Sequence, residues 1–284
     1  MMDVKTGAIL FILGIVFSSG RAGEIRQIEI EGRAQFVVKT GGATWHYDRA
    51  GGGFSRLIDH DGKDWIGFHK EPLSKYPASA AAGYRGIPNC VFRGPDKGAG
   101  HPGFDKCVSE VVAPNRIRTT SKSGKWAWTW TFTESTARFR MEKEDPEHAW
   151  WFLYEGTVGG RFKPDQQYWG TNLGGPKSRV FASKNQHFAN WRWAYFGDRN
   201  SARVLFVLQH QADELSDTIW HLASGSRGDE SADGMIVFGM GRAPKAKPVL
   251  KGAGLEFTVG LIEAAVKTSK EHDAVASTIE AQLK

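Results

Sequence analysis

Trp126, Trp128, Trp130 and Phe132 stand at every second position of the chain. Successive side chains of an extended strand point to opposite faces, so these four rings share one face of a strand. Trp191, Trp193 and Tyr195 repeat the spacing, as do Trp150, Phe152 and Tyr154. Such rows either fill the core between two sheets or form platforms for the apolar faces of sugar rings. Alternation puts Glu155 on the face opposite Tyr154, beside Trp151 and Leu153. Glu155 is therefore a candidate buried or cleft carboxylate.

The rest of the chain reads as strands almost to its end. Segments at Glu24–Glu31, Phe36–Lys39, Ala43–Tyr47, Lys125–Thr133, Ala137–Lys143, Trp151–Val158, Ser178–Ala182, Trp191–Phe196, Val204–His210, Thr218–Leu222, Met235–Met240 and Leu255–Ile262 are short and rich in β-branched or aromatic residues. Most are bounded by Gly, Pro, Asp or Asn. Only the tail is periodic as a helix, Glu271 to Leu283, with Ser269 as N-cap and Ala274, Val275, Ile279 and Leu283 as its apolar positions. The expected fold is all-β: a large two-sheet antiparallel β-sandwich, of supersandwich or jelly-roll type, with a C-terminal helix. No repeat, charge block or linker divides residues 23–284, which are expected to form a single domain.

Residues 1–22 carry Lys5, then the apolar run Ala8–Phe17, then Ser18-Ser19-Gly20-Arg21-Ala22. That order is the pattern of a secretory signal peptide, and the run is short for a membrane span of ~20 residues. The protein is expected to be secreted or periplasmic and free of the membrane once processed. In an oxidising compartment the only two cysteines, Cys90 and Cys107, are expected to form a disulfide. A C-x16-C spacing without a flanking His pair is a poor zinc pattern.

Between Glu71 and Lys106 the sequence has neither helical nor strand periodicity. Loops beyond ~12–15 residues inside a domain are usually functional or disordered. This one holds Tyr84, Arg85, Asn89 and His101 among prolines and lies across the expected disulfide, so it reads as a rigid presenter of polar groups. A second patch, Glu155–Phe162 followed by Tyr168–Gly175, mixes dense glycine with Trp169, Tyr168 and Asn172, as where backbone approaches a ligand.

No metal, phosphate or nucleophile motif is present: no G-x-S-x-G, H-E-x-x-H, P-loop or dinucleotide glycine pattern. The run Asp59-His60-Asp61-Gly62-Lys63-Asp64 reads as a hairpin turn rather than a calcium loop, since the distal Glu is missing. No metal or organic cofactor is expected. The net charge of +6 is spread along the chain. It lacks the basic stripe of a nucleic-acid binder and is compatible with an anionic substrate.

The layout resembles the galactose-mutarotase-like β-supersandwich superfamily, in the long early loop with Tyr84-Arg85-Gly86-Ile87-Pro88-Asn89 and in later His and Glu residues. The resemblance implies two large antiparallel sheets and carbohydrate chemistry: aldose epimerases, polysaccharide lyases and glycoside-hydrolase domains share that fold. Epimerases of this fold use paired His and a Glu, parts that His101, His187 and Glu155 would take.

The leading expectation is a secreted polysaccharide lyase that cleaves an acidic, uronate-containing polysaccharide by β-elimination. Arg85 and Asn89 would neutralise the uronate carboxylate, His101 or His187 would act as base and Tyr168 as acid or base. Tyr84, Trp169, Asn172, Lys184, Trp191 and Glu155 would bind substrate. The alternatives are a non-catalytic carbohydrate-binding protein and a sugar epimerase or glycoside hydrolase. A hydrolase needs two carboxylates across the scissile bond, for which Glu155 and Asp165 are the nominees.

Overall fold

The computed structural model describes residues 24–75, 79–178, 186–223 and 232–283. The apolar run at the N-terminus and Lys184 lie outside these residues. The strands are, in chain order, β1 (Ile25–Ile30), β2 (Arg33–Lys39), β3 (Thr44–Asp48), β4 (Gly53–Ile58), β5 (Cys107–Ala113), β6 (Arg116–Ser121), β7 (Ala127–Phe132), β8 (Thr136–Lys143), β9 (Phe152–Gly156) and β10 (Gln167–Thr171). They continue with β11 (Gly174–Ser178), β12 (His187–Ala189), β13 (Trp193–Asp198), β14 (Val204–Gln209), β15 (Asp217–Leu222), β16 (Met235–Met240), β17 (Arg242–Ala243), β18 (Lys247–Pro248) and β19 (Glu256–Ile262). One helical turn, α1 (Ala80–Gly83), and one longer helix, α2 (Ser269–Glu280), complete the fold.

Nine strands form one sheet in the order β11-β10-β13-β14-β19-β8-β7-β6-β5. Two four-stranded sheets, β1-β2-β3-β4 and β12-β15-β16-β9, are joined by two residues of the early loop. Gly86 and Ile87 pair with Glu155 of β9 and Phe54 of β4. The bonds are Gly86 N–H to Glu155 O at 2.8 Å, Glu155 N–H to Gly86 O at 3.1 Å and Phe54 N–H to Ile87 O at 2.6 Å. The segment read as a structureless loop thus runs as a short seam strand and satisfies two sheet edges that would otherwise stand open. A Cβ on Gly86 would meet Pro102 Cδ at 2.5 Å, so the seam is closed by glycine.

Aromatic rows fill the core. Trp126, Trp128, Trp130 and Phe132 are each at most 1% exposed. Phe54 meets Trp130 with ring centroids 4.6 Å apart, and Phe152 stacks on Phe257 at 4.3 Å. The row Trp191, Trp193 and Tyr195 divides. Strand β13 begins only at Trp193, so Trp193 and Tyr195 face outward under α2 while Trp191 packs into the main core.

The N-cap of α2 is Thr268, not Ser269. Thr268 and Glu271 form a reciprocal capping box, with Glu271 Oε2 accepting from Thr268 N–H at 2.8 Å. The buried face of α2 is His272, Val275 and Ile279, whereas Ala274 is exposed. His272 takes an apolar position because its Nδ1 meets the Tyr195 hydroxyl at 3.0 Å and its ring lies 5.9 Å from Trp193.

Cys90 and Cys107 are both buried free thiols, not a disulfide. Burial pushes the Cys107 thiol up to about 12, so neither sulfur is a ready thiolate. The loop is held instead by backbone bonds, among them Gly100 N–H to Gly51 O at 2.9 Å and Trp151 N–H to Cys90 O at 3.2 Å. No described helix is long and apolar enough to cross a membrane.

Candidate functional site

The seam strand places the early loop over the outer face of β9 and β15, and a cavity of about 280 Å³ lies between them. From β9 and the residue just before it come Trp151, Leu153 and Glu155, the face opposite Phe152 and Tyr154 that alternation predicts. From β15 come Trp220 and Leu222, from β17 Arg242, and from the loop Tyr84, Phe92, Lys97, His101 and Phe104. The register β9–β16–β15 sets Val237 opposite Glu155 and Trp220 opposite Val237, so Trp220 lies two strands from Glu155 on the same face.

Glu155 is 3% exposed. Its Oε2 accepts from Asn89 Nδ2, which also donates to the Tyr84 carbonyl. Its Oε1 lies 3.8 Å from Arg242 Nη1. Burial raises the carboxyl to about 7 against the opposing pull of Arg242 and Asn89. Desolvation outweighs both partners because the guanidinium stands beyond hydrogen-bond distance. A carboxyl poised near neutrality can both take and give a proton at physiological pH.

Arg242 is 9% exposed, with its guanidinium carbon 5.0 Å over the Trp151 ring and 5.6 Å from the Trp220 ring. The two indole faces hold the cation by its quadrupole attraction. Nη1 makes no hydrogen bond. His101 is as deeply buried; burial lowers its imidazole to about 3 against the opposing pull of the Gly83 backbone, so it is neutral, and Nε2 has no partner of good hydrogen-bond geometry. Nearly all buried polar atoms in proteins are paired. A guanidinium and an imidazole with unmet hydrogen-bonding capacity on one cavity wall make it a place where a polar ligand supplies the partners.

The structure distributes the other expected site residues differently. Arg85 does not line the cavity. Its guanidinium donates to the carbonyls of Gly67 at 2.6 Å, Ala232 at 3.1 Å and Gly234 at 2.8 Å, which ties the loop to the chain before β16. Asn89 is fully buried behind Glu155 and orients it. Tyr168 packs under α2 and accepts from Val266 N–H at 3.0 Å. His187 is exposed on β12, its ring 6.4 Å from that of Trp169. Trp169 is buried beneath Lys177 and makes an edge contact with Trp191. Asn172 accepts from Arg192 N–H at 2.8 Å, and Asp165 is not among the cavity residues. Of the expected residues, Tyr84, His101 and Glu155 come together at this cavity, with Asn89 directly behind.

Sequence reasoning missed Arg242, Trp220 and Phe92. Arg242 carried one signal: it follows the wholly apolar run Met235–Met240 after a single glycine. A charge placed there is held at the end of a buried strand. Among the described residues, Asp145, Glu147 and His148 also bring ligand-type atoms within 4.8 Å of one another. Both Asp145 oxygens are already taken, Oδ2 by Lys125 at 3.0 Å and His148 at 2.9 Å and Oδ1 by Glu147 N–H at 3.1 Å.

No protein-family model matches the chain, and no curated protein matches it in sequence. Solved structures match it in fold. HI1317 superposes with a TM-score of 0.55 at 12% identity, over 84% of this chain and 96% of its own. A galactose mutarotase-like protein from Lactobacillus casei gives 0.48 at 10% identity, over 84% of this chain and all of its own length, 100%. A Paenibacillus xanthan lyase gives 0.45 at 10% identity, over 94% of this chain and 27% of its own. Of these three, HI1317 alone exceeds 0.5, and that likeness shows the fold. A galactose mutarotase-related enzyme from Lactobacillus acidophilus gives 0.49 at 7% identity, over 82% of this chain and 100% of its own.

Proposed function

We propose that this protein is an exported carbohydrate-active enzyme, a lyase that cleaves an acidic, uronate-containing polysaccharide by β-elimination in the cavity over β9. The observation that carries the reading is a buried carboxyl raised to about 7, set beside a buried arginine in an aromatic cavity. Aromatic faces from Trp151, Trp220 and Phe92 suit the apolar face of a pyranose. Arg242 offers the positive charge that draws a uronate carboxylate in and stabilises the enolate-like charge of the transition state. The ionised Glu155 takes the C5 proton of the sugar. The electron pair forms the C4–C5 double bond, the C4–O bond breaks, and the leaving oxygen takes a proton from the Tyr84 hydroxyl or from water. His101, neutral at any working pH, hydrogen-bonds a sugar hydroxyl. The carboxylate-neutralising part that Arg85 was expected to play passes to Arg242, and the base passes from histidine to Glu155.

A sugar epimerase is the second reading, favoured by Glu155 and His101 lining one cavity. Ultraviolet absorbance of the unsaturated uronate separates the two. A rise on a uronate polymer supports elimination. An unchanged spectrum with altered optical rotation of a free sugar supports epimerisation. Binding without either change makes the protein a carbohydrate-binding module.

A further inference from the structure

We infer that the cavity holds a single sugar residue, so that the enzyme works from the reducing end of a uronate chain and releases one unsaturated monomer at a time. The inference rests on the elimination reading above and goes on from it to the shape of the substrate.

The cavity of about 280 Å³ is small. It lies just below the ~300–1,000 Å³ range of pockets that engulf drug-sized ligands. That is room for one pyranose with its carboxylate and little more. A chain-binding lyase runs its substrate through a long groove, whereas here the loop and the sheet meet across the cavity. Phe92 on the loop touches Trp151 on β9, with ring centroids 4.4 Å apart, so the loop meets the sheet there. Leu222 and Trp220 wall the β15 side and Arg242 stands against Trp151 and Trp220. The loop is anchored against opening by the seam bonds and by Trp151 N–H to the Cys90 carbonyl. At the rim Lys97 is exposed and lines the cavity, a cation where the rest of an anionic chain leaves it.

The chemistry then fixes which end is bound. The residue that loses its C5 proton carries the rest of the chain on its own O4, because that oxygen is the leaving group. If the cavity holds this residue alone, no sugar follows on its C1 side, and it is the reducing terminus. Cleavage breaks C5–H and C4–O, forms the C4–C5 double bond, returns a proton to the departing chain and leaves an unsaturated monomer in the cavity.

Calorimetry on the mature protein with oligogalacturonides and oligoglucuronides of one to six residues tests this directly. Affinity is expected to change by less than about threefold from monomer to hexamer. A gain of tenfold or more across the first four residues overturns the single-residue cavity while leaving a uronate-binding enzyme intact. No binding at any length overturns the elimination reading and this inference together. A second arm uses the polymer itself after borohydride reduction of its terminal sugar, which opens the ring that the cavity would hold. The initial rate of absorbance rise is expected to fall at least tenfold, with unsaturated monomer as the first product from untreated polymer. Equal rates, or a rapid fall in viscosity with mixed oligomers, overturns the inference.

Discussion

On β9, Phe152 and Tyr154 point into the aromatic core while Trp151, Leu153 and Glu155 line the cavity. Both faces are equally hidden from water: Tyr154 is 0% and Glu155 3% exposed. They differ in how their polar atoms are treated. The Tyr154 hydroxyl donates to the Trp65 carbonyl at 2.8 Å, and the Tyr47 hydroxyl meets Thr119 at 2.7 Å. Across the sheet, Glu155 faces a guanidinium at 3.8 Å, and neither Arg242 Nη1 nor His101 Nε2 has a partner of good hydrogen-bond geometry. Burial is therefore not what separates scaffold from site here. What marks the cavity is that a raised carboxyl, a guanidinium and an imidazole face one space walled by aromatic rings.

The sharpest way to break that contrast is Glu155→Gln. The amide keeps the size and the neighbour Asn89 while removing the proton-transfer group. Activity on the responsive uronate polymer is expected to fall about 10²–10⁴-fold, with the circular-dichroism spectrum unchanged. Retained activity would move the chemistry elsewhere. A pair of tryptophan substitutions comes next. Trp130→Ala empties the core between Phe54 and Phe139 and is expected to cost about 3–5 kcal/mol in denaturant unfolding. Trp220→Ala, on the cavity side, is expected to cost about 1 kcal/mol or less in stability and to weaken sugar binding roughly tenfold. Equal stability losses would erase the distinction between the two faces.

The pH dependence of stability sharpens it further. Glu155 ionises at 4.5 in an unfolded chain and at about 7 in the fold. The protonated form is the one the fold favours, so its contribution is complete below pH 4.5 and is lost as pH rises through 7. Asp217, raised to about 7 by burial, titrates in the same window in both proteins. The difference between wild type and Glu155→Gln isolates Glu155. Wild type is expected to lose roughly 2–3 kcal/mol relative to the variant between those limits. Parallel curves would mean that the carboxyl is solvated. The smallest effect belongs to Lys97→Ala at the exposed rim. Binding of acidic oligomers should weaken about twofold to threefold at low salt and less at high salt, and a neutral sugar should bind unchanged.

Much of the scaffold was legible because alternation is a local rule. The period-two rows, the strands from Ala127 to Lys143 and from Val204 to Gln209, and the helical tail all follow from covalent geometry and side-chain chemistry within a few residues. So does the allotment of Glu155 to the face away from Tyr154. Strands β4, β5, β6, β10, β11 and β12 and the two-residue β17 and β18 escaped; Cys107–Ser121, for one, mixes polar and apolar residues without a clear row. Of the expected site residues, Arg85 shows most plainly where local reading ends. Its sequence neighbourhood suggested a substrate contact, yet carbonyls of Gly67, Ala232 and Gly234 hold both its terminal nitrogens. Its replacement by alanine is a stability experiment rather than a catalytic one.

The sequence by itself determined that this chain builds stacked antiparallel sheets with aromatic interiors, and that Glu155 shares a face with Trp151. Tertiary structure alone decided that Arg242, 87 residues beyond Glu155 in the chain, stands 3.8 Å from it, and that the early loop becomes the seam between two sheets. The physical reason is the range of the forces involved. Alternation is imposed on each residue by its own backbone, whereas the order β12-β15-β16-β9 is settled by long-range edge pairing and burial that no local window contains.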